Sequence, residues 1–163
     1  MRMDSILFGC AILLMSTGCH EELSKDKKES MVREVTKKLD QYPASLARHD
    51  TLWFKNLYSN EKDFLMAADG ELSTDYNESV TNYYKHFLDN MKKLLFFQWN
   101  NGQGYVISKD LISYSTNFQW ELLEKNGDTL RAKGSWLYLF KNINGEWKVL
   151  QSAGTNNYKE SHP

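Results

Sequence analysis

A chain of 163 residues leaves room for one domain and a tail. With 20 Lys and Arg against 21 Asp and Glu, its formal charge of −1 excludes a broadly basic nucleic-acid binder. Hydrophobic residues at 41% and aromatics at 13% exclude a disordered chain, and both cysteines, Cys10 and Cys19, precede any domain, which excludes a disulfide framework or a Cys-ligated zinc module.

The first segment reads as a leader. Arg2 precedes an apolar run from Ile6 to Met15. A membrane-spanning helix needs about 20 apolar residues, so this run is too short to span and fits the core of a secretory signal. It ends in Ser16-Thr17-Gly18-Cys19. This resembles the lipobox of bacterial lipoproteins, with Ser16 where the pattern prefers leucine. The resemblance implies that residues 1–18 are a signal peptide and that Cys19 becomes the first residue and carries diacylglycerol. It places the protein in the cell envelope, anchored to a membrane and facing the periplasm or the surface. Ordinary secretion is the alternative reading. Residues 19–30 carry one large apolar residue, Leu23, among mixed charges, and are expected to be a flexible tether. The domain is expected over 31–157, with 158–163 as a tail.

Met31, Val35 and Leu39 recur every four residues between charged ones, one stripe of an amphipathic helix. Tyr42-Pro43 interrupts it, and Pro43 can open the next helix in its first turn. That helix carries Leu46, Trp53, Phe54 and Leu57 on one side, with Asp50 able to restart it as an N-cap. Asp63 to Ala68 followed by Asp69-Gly70 reads as a strand and a turn. Asp75 and Glu78 form a capping-box-like start, after which Val80, Tyr84, Phe87, Leu88, Met91 and Leu95 trace a helical face. From Phe96 the period changes to two, clearest where Ile112, Tyr114, Thr116, Phe118, Trp120 and Leu122 alternate with polar residues. Helices first and antiparallel strands after argue an α+β fold.

Asn126-Gly127 and Asn144-Gly145 are hairpin signals. A two-residue loop at Asn144-Gly145 sets Phe140 opposite Val149, Tyr138 opposite Gln151, Trp136 opposite Ala153 and Gly134 opposite Thr155. At Asn126-Gly127 a two-residue loop would put Arg131 and Lys133 on the apolar face. One added residue pairs Leu122 with Ala132, Trp120 with Gly134, Phe118 with Trp136, Thr116 with Tyr138 and Tyr114 with Phe140. Lys109-Asp110 sets Ile107 opposite Ile112 and Tyr105 opposite Tyr114. On this reading Thr116, Tyr138 and Gln151 share one row, flanked by Trp120, Trp136 and Phe118. Gly134, in the next row, leaves room. These residues are the expected lining of a small, mostly apolar pocket. On the opposite face Leu137, Leu139 and Leu150, with Leu139 opposite Leu150, suggest a homodimer interface.

The helices, the strand ending in Asp-Gly, the long helix and the strand meander together resemble the nuclear transport factor 2-like fold, and within it SnoaL-like domains. Asp50 before a short aromatic helix, Val106-Ile107-Ser108-Lys109-Asp110, and Leu139-Phe140-Lys141 with Gly145-Glu146-Trp147-Lys148-Val149 carry the resemblance. It implies a cone-shaped, curved antiparallel sheet closed by the helices.

One fold hosts many functions, so the reaction must be read from the site. Steroid isomerases resembling this fold place an aspartate base just after the first strand. Here that stretch is Met66-Ala67-Ala68-Asp69-Gly70, and Asp69 belongs more naturally to the turn. Dehydratase-like members use His–carboxylate pairs. His20 and His162 lie near the termini, so His86 and His49 beside Asp50 are the remaining candidates, and adjacent helical residues do not face each other. No metal-ligand spacing, phosphate loop or nucleophile elbow is present, and no cofactor is expected. Gly102-Gln103-Gly104 reads as a bend in the sheet. The expected function is a lipid-anchored, non-catalytic module binding a small apolar ligand or a protein partner, with Thr116, Trp120, Trp136, Tyr138 and Gln151 as the ligand-binding set. The alternative is a small isomerase, dehydratase or hydrolase acting on an apolar molecule.

Overall fold

A computed structural model describes residues 22–160. The leader and the lipidation candidate Cys19 lie outside the described residues. No helix among the described residues is long and apolar enough to cross a membrane.

Helix α1 spans Lys25–Leu39 and buries the expected stripe of Met31, Val35 and Leu39. It begins inside the segment expected to be a tether. Ser24 caps it, accepting from the Lys27 amide at 3.3 Å. Glu29 pairs with Lys25 at 3.9 Å and with Arg33 at 3.7 Å, both at helical spacing, and Leu23 packs against the core. The charges that argued against order instead support the first turns. The far end of α1 is held by the sheet: Lys38 Nζ reaches Glu146 at 2.9 Å, and Trp147 Nε1 donates to Glu34 at 2.9 Å.

Pro43 sits in the first turn of α2, Tyr42–Ala47. Asp50 caps α3, Thr51–Leu57, accepting from the Trp53 amide at 2.9 Å. Strands β1 (Leu65–Ala68) and β2 (Glu71–Ser73) form a small hairpin through Asp69 and Gly70, which adopt φ of 53° and 93°. Asp75 Oδ1 accepts from the Glu78 amide at 3.0 Å, as its spacing implies. The helix behind it opens as a π-helical segment, Asn77–Asn82, and continues as α4, Tyr83–Asn90. Val80, Tyr84 and Leu88 are buried along it. Met91 and Leu95 belong to a strand instead, because the chain turns extended at Met91.

Four long strands follow: β3 (Met91–Ser108), β4 (Leu111–Glu124), β5 (Thr129–Ile143) and β6 (Glu146–Glu160). They join the small hairpin in one six-stranded sheet of order β2-β1-β6-β5-β4-β3, curved and unclosed, with the helices on its concave side. The sheet is mixed, not wholly antiparallel, because β1 runs parallel to β6. Strand β6 also continues through residues expected to be the tail, pairing Tyr158 with Ala132.

The register differs from expectation in three places, each for a local reason. The β4–β5 loop does contain an extra residue, but it is Lys125: Glu124 N–H donates to Asp128 O at 2.8 Å. Leu122 therefore pairs with Leu130, Trp120 with Ala132 and Phe118 with Gly134. Every pair slides by two, so each side chain keeps its expected face. On β6 an unpaired Leu150 separates Phe140–Val149 from Leu139–Gln151. The end of α3 docks there, Ser59 N–H donating to Val149 O at 2.8 Å. Beyond this bulge Ser152, not Gln151, lies opposite Tyr138. On β3 Val106 pairs with Ile112 and Gly104 with Tyr114, so Ile107 and Tyr105 are displaced and exposed.

The bulge also changes the outer face. Leu150 is buried and lies beside, not opposite, Leu139. The apolar residues that do line up across the outer face are Leu72, Ala67, Ala153 and Leu137.

Gly134 does not leave room. A Cβ there would collide with the Thr155 carbonyl and come within 2.8 Å of the Phe118 ring. Gly134→Ala is expected to destabilise the domain by about 1–3 kcal/mol, since backbone must move to admit the methyl group. Denaturant unfolding measures this, and an unchanged midpoint would contradict the close approach.

Candidate functional site

The concave face, the helices and the β1–β2 hairpin enclose a cavity of about 680 Å³. That lies within the range of about 300–1,000 Å³ usual for small-molecule sites. Its depth is aromatic. Phe54 stacks on Tyr84 with ring centroids 4.1 Å apart and forms the layer behind it. Trp136 and Tyr138 stack along β5 at 6.0 Å. Tyr42, the residue before Pro43, meets Tyr84 with hydroxyls 3.2 Å apart.

The polar atoms at this depth are phenols. Tyr58 and Tyr138 are 2% exposed and Tyr84 is 6% exposed. Burial pushes the titration of all three to the alkaline side, and neighbouring phenols push Tyr84 and Tyr138 further, well above the usual range. Tyr42 is raised by the same burial, then by Tyr58. All four therefore remain neutral and able to donate at physiological pH. The buried Ser152 hydroxyl makes no hydrogen bond of good geometry, although it lies close enough to Tyr58 to favour that phenol's ionised form.

Ionisable acids and bases on the cavity wall sit at its mouth. Asp69, Glu71, Glu78 and His86 line it, and all four are exposed. Asp69 follows β1 as the sequence implies, and its carboxylate is occupied: Oδ1 accepts from the Asn156 amide at 2.5 Å and Oδ2 from Asn156 Nδ2 at 2.8 Å. His86 lies on the exposed flank of α4. His49 sits at a positive φ of 55° between α2 and α3 and does not line the cavity. Among the described residues no group of three or more His, Cys, Asp or Glu stands close enough to hold a metal ion.

Of the five residues expected to bind a ligand, Trp120, Trp136 and Tyr138 line this cavity. Thr116 and Gln151 do not. Thr116 is buried with its hydroxyl against the carbonyls of Asn100 and Asn117, at 3.1 and 3.0 Å. The Leu150 bulge turns Gln151 away, and its Nε2 donates to Asp63 O at 3.3 Å. Sequence reasoning missed Tyr42, Tyr58, Tyr83 and Tyr158. Tyr42 stands beside Pro43 and Tyr158 falls within the expected tail; nothing local in the sequence marks Tyr58, just after α3, as part of this wall.

The fold has counterparts among solved structures. A nuclear transport factor 2-like superfamily protein from Salmonella enterica serovar Typhimurium LT2 superposes with a TM-score of 0.67 at 14% identity, over 83% of this chain and 94% of its own. A protein from Novosphingobium aromaticivorans DSM 12444 provisionally named a scytalone dehydratase gives 0.74 at 10% identity, over 86% and 93%. A hexachlorocyclohexane dehydrochlorinase from Novosphingobium barchaimii LL02 gives 0.68 at 8% identity, over 85% and 94%. No protein-family model matches the sequence, and no curated protein matches it. The chain has the nuclear transport factor 2-like fold, a fold shared by enzymes and by proteins without assigned chemistry.

Proposed function

We propose that this domain binds a small, flat, largely apolar molecule in its concave cavity, without turning it over, while a lipid on Cys19 holds the protein at a membrane of the cell envelope. One observation carries the binding reading: aromatic rings and neutral phenols line the cavity's depth, and its carboxylates and imidazole stand at the exposed mouth. A general base must reach the proton it abstracts, whereas phenols suffice to orient a ligand oxygen. The enzyme names among the fold neighbours support a second reading, an isomerase, dehydratase or hydrolase. It would have to work through an acid or base at the mouth: Asp69, Glu71, Glu78 or His86.

Trp99, Trp120 and Trp136 line the cavity, so intrinsic fluorescence reports its occupancy. Titration with the neutral probe 5-phenylpentan-1-ol should change the emission saturably. Tyr138→Phe, which removes one buried hydroxyl, should leave the fold intact and weaken oxygen-bearing ligands by about 0.5–1.5 kcal/mol. A linear, unsaturable response would overturn the reading.

The anchor is tested separately. Cys19→Ser should move the protein from the membrane fraction to the soluble one; equal membrane retention would rule out lipidation there. We also propose that two copies pair through the outer face of the sheet, where Leu72 and Leu137 are 68% and 47% exposed in the row with Ala67 and Ala153. Sedimentation at micromolar concentration should show a dimer that Leu137→Lys dissociates. A monomeric wild type would remove the idea.

A further inference from the structure

The mouth of the cavity differs chemically from its depth. Tyr83 and Phe87 stack on α4 with centroids 6.1 Å apart. Phe87 meets Trp120 of β4 edge to face at 6.0 Å, and Trp120 meets Tyr158 of β6 at 6.1 Å. Four rings from one helix and two strands thus follow one another along the cavity wall. Tyr83 and Tyr158 are each 49% exposed, which places both ends of the series at the opening.

The charges at the same opening are of one sign. Asp69, Glu71 and Glu78 line the cavity, and among the described residues no Lys or Arg does. Among the described residues none of the three carboxylates is in an ion pair. Asp69 lies near enough to both Tyr83 and Tyr158 to oppose their ionisation. His86 is the other titratable group on this rim besides the phenols. The carboxylates do not gather as metal ligands do. Spread around an aromatic wall, they suit a large, weakly hydrated cation better than a compact one. Ring faces attract such a cation through their quadrupoles, and carboxylates add a longer-range field.

We propose that this mouth is a cation subsite for the ligand of the cavity: an organic ammonium group, quaternary or protonated tertiary, seats against Tyr83, Phe87, Trp120 and Tyr158 beneath Asp69, Glu71 and Glu78, while its apolar body fills the depth. The proposal rests on the cavity-binding reading and adds the charge of the ligand to it.

A matched series separates the two. The purified full-length protein is titrated with 4-phenylbutyltrimethylammonium, 5-phenylpentan-1-ol and 5-phenylpentanoate, which share a body and differ in head-group charge. The ammonium compound is expected to bind on the order of tenfold more tightly than the carboxylate at low salt, with the alcohol between them and the gap narrowing as salt rises. The Glu71→Gln, Glu78→Gln double variant should shrink the ammonium-to-alcohol ratio. Phe87→Leu should shrink it by a route insensitive to salt. Glu71→Gln alone, on an exposed edge strand, serves if the double variant is unstable. If the alcohol binds saturably and the ammonium compound binds no more tightly, the cation subsite is wrong and the apolar cavity stands. If none of the three binds, both readings fall.

Discussion

Phe54→Ala is expected to destabilise the domain by about 3–5 kcal/mol, the usual cost of removing a fully buried aromatic side chain. Phe54 is 0% exposed. Its ring lies flat on Tyr84 at 4.1 Å and meets Tyr42 edge-on at 5.1 Å and Trp53 at 5.0 Å. Removing it leaves a void behind the two phenols that line the cavity's depth. Tyr42 and Tyr84 cannot close that void without parting their hydroxyls or leaving the wall. A domain of this size is commonly stable by about 5–15 kcal/mol, so one substitution here consumes much of the margin. Urea unfolding of the variant and wild type measures the difference. A loss below about 1 kcal/mol would mean that the core collapses freely around the gap.

The second large effect is alkaline. Tyr42, Tyr84 and Tyr138 are held neutral by burial in the folded protein, whereas in the unfolded chain tyrosine titrates near 10. Below that pH both states carry the same protons, and these groups contribute no slope. Above it the unfolded state binds fewer protons than the folded one, so stability falls as pH rises. Three such groups together give a slope of about −4 kcal/mol per pH unit. The domain is therefore expected to unfold cooperatively between about pH 10 and 12, with tyrosinate absorbance rising together with loss of near-ultraviolet circular dichroism. Tyr138→Phe should make the slope shallower by about 1.4 kcal/mol per pH unit. Phenols that ionise near pH 10 with the fold intact would contradict this account.

Both predictions concern residues that local patterning treated unequally. Phe54 and Tyr84 lay on helical faces readable from spacing alone, and both are buried. Trp120, Trp136 and Tyr138 were readable as one face of a sheet, because alternation fixes a face even when the partner strand slides by two. Thr116 and Gln151 failed for different reasons. Thr116 is on the expected face, but its hydroxyl is turned to main-chain carbonyls. Gln151 is on the wrong face because one unpaired residue, Leu150, inverts all that follows on β6.

The sequence by itself determined the α+β order, the α1 stripe, the caps at Asp50 and Asp75 and the inward faces of β4 and β5. These depend on period, on capping chemistry and on turn residues, all of which act within a few residues. Tertiary structure alone decided the parallel pairing of β1 with β6, the bulge where Ser59 takes the Val149 carbonyl, and the meeting of Tyr42, Tyr58, Tyr84 and Tyr138 in one cavity. Those contacts join residues far apart in the chain, and no local pattern encodes which distant strand or helix end will arrive beside a given residue.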